Sequence, residues 1–326
     1  MFSRYQQFFF NSATVIYACL GFWCWMFRLD PATGVGWVGL TVSSLGRSLD
    51  FYKGVLGFRQ FGMLGGAAVL GADENVPLVI LHEQRGAEPR PPNRRGLYHF
   101  AVLYPSRRDL ARAFTRVAHR WSFEGFADHL VSEALYLSDP DLHGIELYVD
   151  RPRERWGFTS LKELRMGTLP LNIDSLLQEL SGEGSSKSLD PGYRLPSGTR
   201  IGHIHLHVSS LEKAEQFYHG LLGLDVTLRS FPGALFLSAG GYHHHVGANI
   251  WAGLNAAPPS ENHVQLKSFS LVLPSRRSLE LLVKWLLENG VDVVDGLVHG
   301  FEGYEGVTVM DFDGNRVELA VRVNVS

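Results

Sequence analysis

Apolar and polar positions along this chain alternate between short strand-like runs and stretches of helical spacing, and that order recurs. Residues 36–42 are apolar and β-branched, which predicts a strand. Residues 45–56 place apolar side chains at helical spacing behind Ser44, a suitable N-cap, which predicts a helix. Short apolar runs at 67–70 and 77–81, separated by glycine-rich turns, predict two or three further strands. After a proline-rich connection over 87–93 the order returns, with a strand over 97–104, a helix across 109–119 and strands near 132–137 and 144–149. The second half of the chain repeats both units. The pattern therefore predicts an α+β fold of four βαβββ modules at about 35–85, 96–150, 200–252 and 264–323.

The repetition extends to individual residues. Val35-Gly36-Trp37-Val38-Gly39-Leu40-Thr41-Val42-Ser43-Ser44-Leu45 reappears as Ile201-Gly202-His203-Ile204-His205-Leu206-His207-Val208-Ser209-Ser210-Leu211, an offset of 166 residues from Trp37 to His203. Phe51-Tyr52 is matched by Phe217-Tyr218, Pro105-Ser106-Arg107-Arg108 by Pro274-Ser275-Arg276-Arg277, and Glu146 by Glu318. A repeat this long implies duplicated domains and not a solenoid, and 326 residues suit two of them. The expected boundaries are an apolar extension over 1–28, a first two-module domain over 29–152, a linker over 153–198 and a second two-module domain over 199–326. Within the linker, residues 181–186 read as flexible and 173–180 as a short amphipathic helix.

A formal charge of −3, with no dense Lys/Arg run, gives no reason to expect nucleic acid or an anionic membrane surface as partner. A small neutral or anionic metabolite fits better. The two cysteines, Cys19 and Cys24, make neither a disulfide framework nor a thiolate zinc site, so a reducing, cytoplasmic setting is the default. Residues 8–27 are strongly apolar and flanked by Arg4 and Arg28. They are long enough for a marginal anchor or signal segment, although Asn11, Ser12 and Thr14 interrupt the run. An apolar extension packed on the surface is the other reading. The oligomeric state, including a homo-oligomer, is left open.

Candidate chemistry concentrates on histidines and one acid. His203, His205 and His207 share one face of a strand, because side chains alternate with period two, and three buried imidazoles on an apolar strand would each need a partner. Glu146 sits between Ile145 and Leu147, where an unpaired carboxylate is costly; a salt bridge to an arginine is its bland explanation. His243-His244-His245 suits either a solvated turn or a site.

The motifs Gly202-His203-Ile204-His205-Leu206-His207-Val208, Phe217-Tyr218 with Leu221-Leu222-Gly223-Leu224, and Asp311-Phe312-Asp313-Gly314-Asn315-Arg316-Val317-Glu318-Leu319 resemble the vicinal oxygen chelate superfamily. That superfamily includes glyoxalase I, bleomycin-resistance proteins and type I extradiol dioxygenases. The run from Asp128 to Pro140, followed by Gly144-Ile145-Glu146-Leu147-Tyr148 and Asp150-Arg151-Pro152, is similar to the catechol 2,3-dioxygenase branch. The resemblance implies two tandem vicinal-oxygen-chelate domains. It also implies metal ligands on the first and last strands of modules that face one another.

On that basis Trp37 and Ser268 stand where modules one and four would carry histidines, leaving Glu318 alone. Modules two and three together supply His99, Glu146 and His203. Two imidazoles and one carboxylate form the facial triad of non-haem Fe(II) oxygenases; Mn, Zn and Ni are alternative metals. This requires crossed pairing, module two with module three, in place of pairing between sequence neighbours. The resemblance further implies substrate-facing roles for His129 and Tyr136 and an acid–base role for His245, with His244 close behind. Tyr136 would equally serve as an ordinary strand aromatic.

The implied activity is extradiol cleavage of a catechol or related aromatic diol, with O₂ as co-substrate. One alternative is a glyoxalase-like lyase or isomerase, which would want a fourth protein ligand. The other is a metal-free binding protein of the bleomycin-resistance kind that holds an aromatic ligand.

Overall fold

A computed structural model describes residues 14–19, 22–73, 76–182 and 189–323. The serine- and glycine-rich linker stretch lies outside the described residues from 183 onward, as do residues 8–13 of the apolar leader. The described part of that leader forms two paired antiparallel strands, β1 (Thr14–Cys19) and β2 (Phe22–Phe27), and not a helix. No helix among the described residues is long and apolar enough to cross a membrane. At the leader's end Phe27 is buried and stacks on Trp285, with ring centroids 6.1 Å apart.

The four modules follow in the predicted order. Module one holds β3 (Gly34–Val42), α1 (Leu45–Leu49), β4 (Arg59–Leu64), β5 (Ala67–Gly71) and β6 (Val79–Glu83). Module two holds β7 (Gly96–Leu103), α2 (Arg107–Arg120), β8 (Gly125–Asp128), β9 (Ser132–Ser138) and β10 (Gly144–Asp150). The linker carries α3 (Ile173–Leu177), which buries Leu176 and continues into a 3₁₀ turn, Gln178–Leu180. Module three holds β11 (Arg200–His207), α4 (Leu211–Ala214), β12 (Asp225–Leu228), β13 (Ala234–Ser238) and β14 (Val246–Asn249). Module four holds β15 (Leu266–Leu273), α5 (Arg276–Glu288), β16 (Val293–Asp295), β17 (Tyr304–Met310) and β18 (Arg316–Arg322).

Local chemistry accounts for the helices. Ser44, Ser106, Ser210 and Ser275 each sit in an extended conformation and accept a backbone N–H three residues on, satisfying one of the donors that a helix start leaves free. The predicted helix over 45–56 is α-helical only through Leu49 and widens to a π-helical turn over Asp50–Leu56. Module three repeats this at Glu215–Leu221. The widened turns carry Tyr52 and Tyr218, whose hydroxyls donate to Asp139 (3.0 Å) and Asp311 (2.7 Å) in the next module. Ser43 and Ser209 donate to Asp141 and Asp313 of those same turns, both at 2.6 Å. Side chains thus clasp modules one and two together, and modules three and four together.

Backbone pairing runs the other way. One eight-stranded sheet has the order β12-β13-β14-β11-β7-β10-β9-β8 and the other β16-β17-β18-β15-β3-β6-β5-β4. The central antiparallel contacts are β11 with β7 and β15 with β3, so each sheet joins a module from each half of the chain. An apolar cluster around Phe100, Ile204, Val38 and Phe269 packs between sheets and helices, while the opposite faces carry His99, Glu146 and His203 in one sheet and Trp37, Ser268 and Glu318 in the other, beside smaller apolar clusters.

Candidate metal centre and cavity

In the sheet built by modules two and three, the central strands β7 and β11 run antiparallel with His205 opposite His99, and His203 opposite Ala101. Strand β10 lies parallel to β7 with Glu146 beside Ala101, two residues past the level of His99 and on the same face. Three side chains consequently converge on one point. His99 Nε2 is 3.1 Å and His203 Nε2 3.2 Å from the same atom, Glu146 Oε2. All three residues are buried, and their ligand atoms lie within 4.8 Å of one another. His99 Nε2 lacks hydrogen-bond geometry to any partner among the described residues, and so does His203 Nδ1. A buried imidazole nitrogen aimed at a carboxylate without such a bond suits a ligand to a cation. Trp37, Ser268 and Glu318 lie in the other sheet.

The electrostatics favour cation binding. Burial pushes the imidazole of His203 down to about 4, and that of His205 well below the ordinary value, so both are neutral near pH 7. Neutral imidazoles coordinate without first losing a proton. Burial alone would raise the Glu146 carboxyl, but His203 and His99 outweigh it and hold the group well below the usual carboxylate range. An ionised carboxylate therefore faces the rings of His203 and His99.

The fourth corner carries no ligand. Strand β14 aligns Val246 with Ile204 as β10 aligns Ile145 with Phe100, so Gly247 occupies the place equivalent to Glu146. A Cβ added there would come within 2.9 Å of the His205 ring, which fills that space.

Above the cluster lies a cavity of about 200 Å³ lined by His99, Glu146, His129, Tyr136, His244 and His205 at its polar end. Tyr98, Met166, Phe231, Phe236 and Trp251 form the rest of its wall. His129 Nδ1 lies 2.6 Å from the carbonyl of Gly167, to which it donates, and its Nε2 lies 2.6 Å from the Tyr136 hydroxyl. The first bond fixes the tautomer, so Nε2 accepts from Tyr136. Burial, reinforced by Glu146, holds the Tyr136 hydroxyl well above the usual phenol value and keeps it a donor. Gly167 belongs to the linker, which returns over the cavity through a bridge between Asp128 and Leu169 and a bond from Leu164 N to Thr227 O.

Among the three consecutive histidines the structure brings His244 to the cavity, and not His245. His245, expected in an acid–base role, lies outside this cavity's lining, because neighbouring residues entering β14 point to opposite sides. His245 Nδ1 accepts from Ala239 N at 3.1 Å, its ring stacks on Tyr242, and it lines a separate cavity with Arg153 and Arg200. Burial lowers its imidazole to about 3. His243 donates from Nε2 to Asp150 (3.0 Å), so its Nδ1 accepts from His244 Nδ1 (2.8 Å), and His244 keeps Nε2 unprotonated. Sequence reasoning missed this Asp150–His243–His244 chain. It missed Tyr98, Met166, Phe231, Phe236 and Trp251 as well, since no motif marks residues contributed by separate loops.

With this geometry established, the chain belongs to the Glyoxalase/Bleomycin resistance protein/Dioxygenase superfamily, whose family model matches residues 34–147 and 200–319. It is 43% identical over 271 residues to the catechol-2,3-dioxygenase of Bacillus subtilis (strain 168), a match spanning 82% of this chain and 92% of that protein. A solved structure from Bacillus subtilis subsp. subtilis str. 168 aligns with a TM-score of 0.64 at 12% identity, covering 91% of this chain and 87% of that one. Glyoxalase I from Zea mays aligns with a TM-score of 0.52 at 14% identity, covering 89% and 92%. The two structural matches speak for the shared fold of tandem βαβββ domains.

Proposed function

We propose that this protein is an Fe(II)-dependent extradiol dioxygenase that opens the ring of a catechol or related aromatic diol beside its two hydroxyls, both atoms of O₂ entering the product. The observation that carries the reading is the convergence of His99, His203 and Glu146 at the floor of a cavity whose walls are largely aromatic. The similarity to the Bacillus subtilis catechol-2,3-dioxygenase supports it. In this reading His99, His203 and Glu146 hold Fe(II), Mn, Zn and Ni being the alternatives. Bound there, the ion would supply open coordination positions and a one-electron couple.

The protein's own groups do the rest. Phe231, Phe236 and Trp251 offer rings against which an aromatic substrate packs and from which water is excluded. His244, neutral because burial lowers its imidazole well below the ordinary value, takes a diol proton at Nε2. The Tyr136 oxygen accepts a proton from a substrate hydroxyl as its own proton passes to His129 Nε2, which the Gly167 carbonyl locks as the acceptor, and the reverse relay returns it. Gly247 supplies no ligand at the fourth corner, so the extra protein ligand that the glyoxalase-like reading wants would have to come from the histidine run, where His243 and His244 group with His203.

The test is anaerobic loading with Fe(II), addition of catechol and then O₂, and a search for the yellow ring-fission product. Turnover of a hemithioacetal with no diol opened would replace this reading with the lyase.

A further inference from the structure

We propose that the cavity between the starts of β3 and β11 binds a small oxyanion, a phosphate or a carboxylate, on Arg153, Arg200, Thr33 and His245. This cavity shares no lining residue with the one above the metal cluster, so the inference does not depend on the diol-cleaving reading. Its lining offers two guanidiniums, a hydroxyl and an imidazole, and contains neither aspartate nor glutamate. Acids on adjoining segments are engaged elsewhere. Asp30 accepts from Ala32 N at 3.1 Å and from the Ser278 hydroxyl at 2.8 Å, and Asp150 accepts from Tyr242 and His243, each at 3.0 Å.

Each of the four groups is left with something to donate. Thr33 is 3% exposed, yet its hydroxyl has no hydrogen-bond partner among the described residues. A buried hydroxyl in that state is costly, which points to a ligand that it meets. His245 Nδ1 accepts from Ala239 N, so the neutral ring carries its proton on Nε2 and donates from there. Arg153 is anchored: its Nη2 donates to the Gly240 carbonyl at 2.5 Å, and its guanidinium lies 5.6 Å from the centre of the Trp156 ring. Gly241 makes room for this, since a Cβ there would stand 2.7 Å from the same nitrogen. The guanidinium keeps further N–H donors beyond that one bond.

Arg200 is exposed and has no side-chain partner among the described residues. At the repeat's offset of 166 residues it falls where the first half has Gly34, so the duplicated fold does not demand an arginine there. Two cations at the mouth and two neutral donors deeper in suit an oxyanion, whose oxygens match the fork of a guanidinium. The cavity measures about 170 Å³, below the roughly 300–1,000 Å³ of sites that enclose drug-sized ligands, so the ion is one of few atoms.

Calorimetric titration of the full-length protein with inorganic phosphate and, separately, with succinate at low salt reads the binding and tells the two sources apart. We expect at least one of them to bind with a Kd of about 1 mM or tighter. Arg200→Ala, at an exposed position, should fold normally and weaken that binding by about 10- to 100-fold, the worth of a hydrogen bond to a charged group. Thr33→Val keeps the shape, removes the hydroxyl and should weaken it by about 2- to 10-fold.

Phosphate binding that Arg200→Ala weakens, with succinate inert, supports a phosphate site; the converse supports a carboxylate site. Failure of both ions to bind at about 10 mM overturns the inference. So does binding that is unchanged in both Arg200→Ala and Thr33→Val, because the ion would then lie elsewhere, the metal cluster included.

Discussion

The two sheets place the same four positions around their concave faces and fill them differently. Where modules two and three offer His203, His99, Glu146 and Gly247, modules one and four offer Trp37, Ser268, Glu318 and Ile80 at the equivalent registers. In the second set the Trp37 indole donates to Glu318 Oε1 at 3.0 Å, the Ser268 hydroxyl donates to the same oxygen at 2.6 Å, and His299 N donates to Oε2 at 3.1 Å. His299 itself enters from the loop between β16 and β17, over Gly39, where an added Cβ would lie 2.4 Å from its ring nitrogen. The counterpart of Gly39 in the other sheet is His205. One exchange of glycine for histidine thus decides whether a loop side chain seals the concave face. The acids respond in opposite directions: burial raises the Glu318 carboxyl among neutral donors, whereas the two imidazoles facing Glu146 hold it low. Glu318 accepts from groups of its own sheet and loop; Glu146 is a carboxylate in a cluster with two imidazoles that could hold a metal ion.

The most forceful way to break this comparison is to remove each acid in turn. Glu146→Ala should cost more than about 100-fold in iron affinity, since loss of groups that merely orient ligands already costs 10–100-fold. Glu318→Ala should leave iron per chain unchanged after gel filtration, and an equal loss from both would abolish the distinction. Next in size, His244→Ala should lower kcat by roughly 10²–10⁴-fold, the usual worth of an acid–base group. His245→Ala, with its ring stacked on Tyr242 away from the cavity, should change kcat little, and a reversed ranking in steady-state assays would relocate the proton transfer.

Smaller still is the effect on the sealed face. Trp37 is fully buried against Phe301 and Tyr304, both at 5.1 Å, so Trp37→Ala should destabilise the protein by about 3–5 kcal/mol in urea unfolding. Its iron content should be preserved. The smallest expected effect concerns pH. Because the Glu318 carboxyl is raised in the folded protein above its ordinary value of 4.5, the folded state holds that proton more tightly than the unfolded chain. Stability from this source is present below 4.5 and is lost as pH rises through the folded value. Glu318→Gln should therefore gain on the unaltered protein between pH 4 and pH 7, and a pH-independent difference in unfolding midpoint would show that Glu318 is not raised.

Much of this was readable from the chain. Short apolar and β-branched runs, with helical spacing behind Ser44, predicted the βαβββ order, because strands bury apolar faces and a helix start needs an acceptor for its free N–H groups. The superfamily resemblance, laid over the residue-by-residue repeat, singled out His99, Glu146 and His203 against Trp37, Ser268 and Glu318, because residue types at corresponding positions can be compared without coordinates. The π-helical turns at 50–56 and 215–221 were not readable, since one extra residue per turn leaves the apolar spacing nearly unchanged. Nor was the choice between His244 and His245, which depends on where β14 begins.

What the sequence determined by itself is the module count, the duplicated plan and the set of groups with metal-binding chemistry, all properties of local pattern and residue type. Crossed pairing of the modules was expected only through the resemblance and its ligand set; the tertiary structure alone decided that the linker carbonyl of Gly167 locks His129, and that His299 packs on one site face while Phe231, Phe236 and Trp251 line the other. These depend on contacts between residues far apart in the chain, where packing and burial, and not local preference, set the free energy.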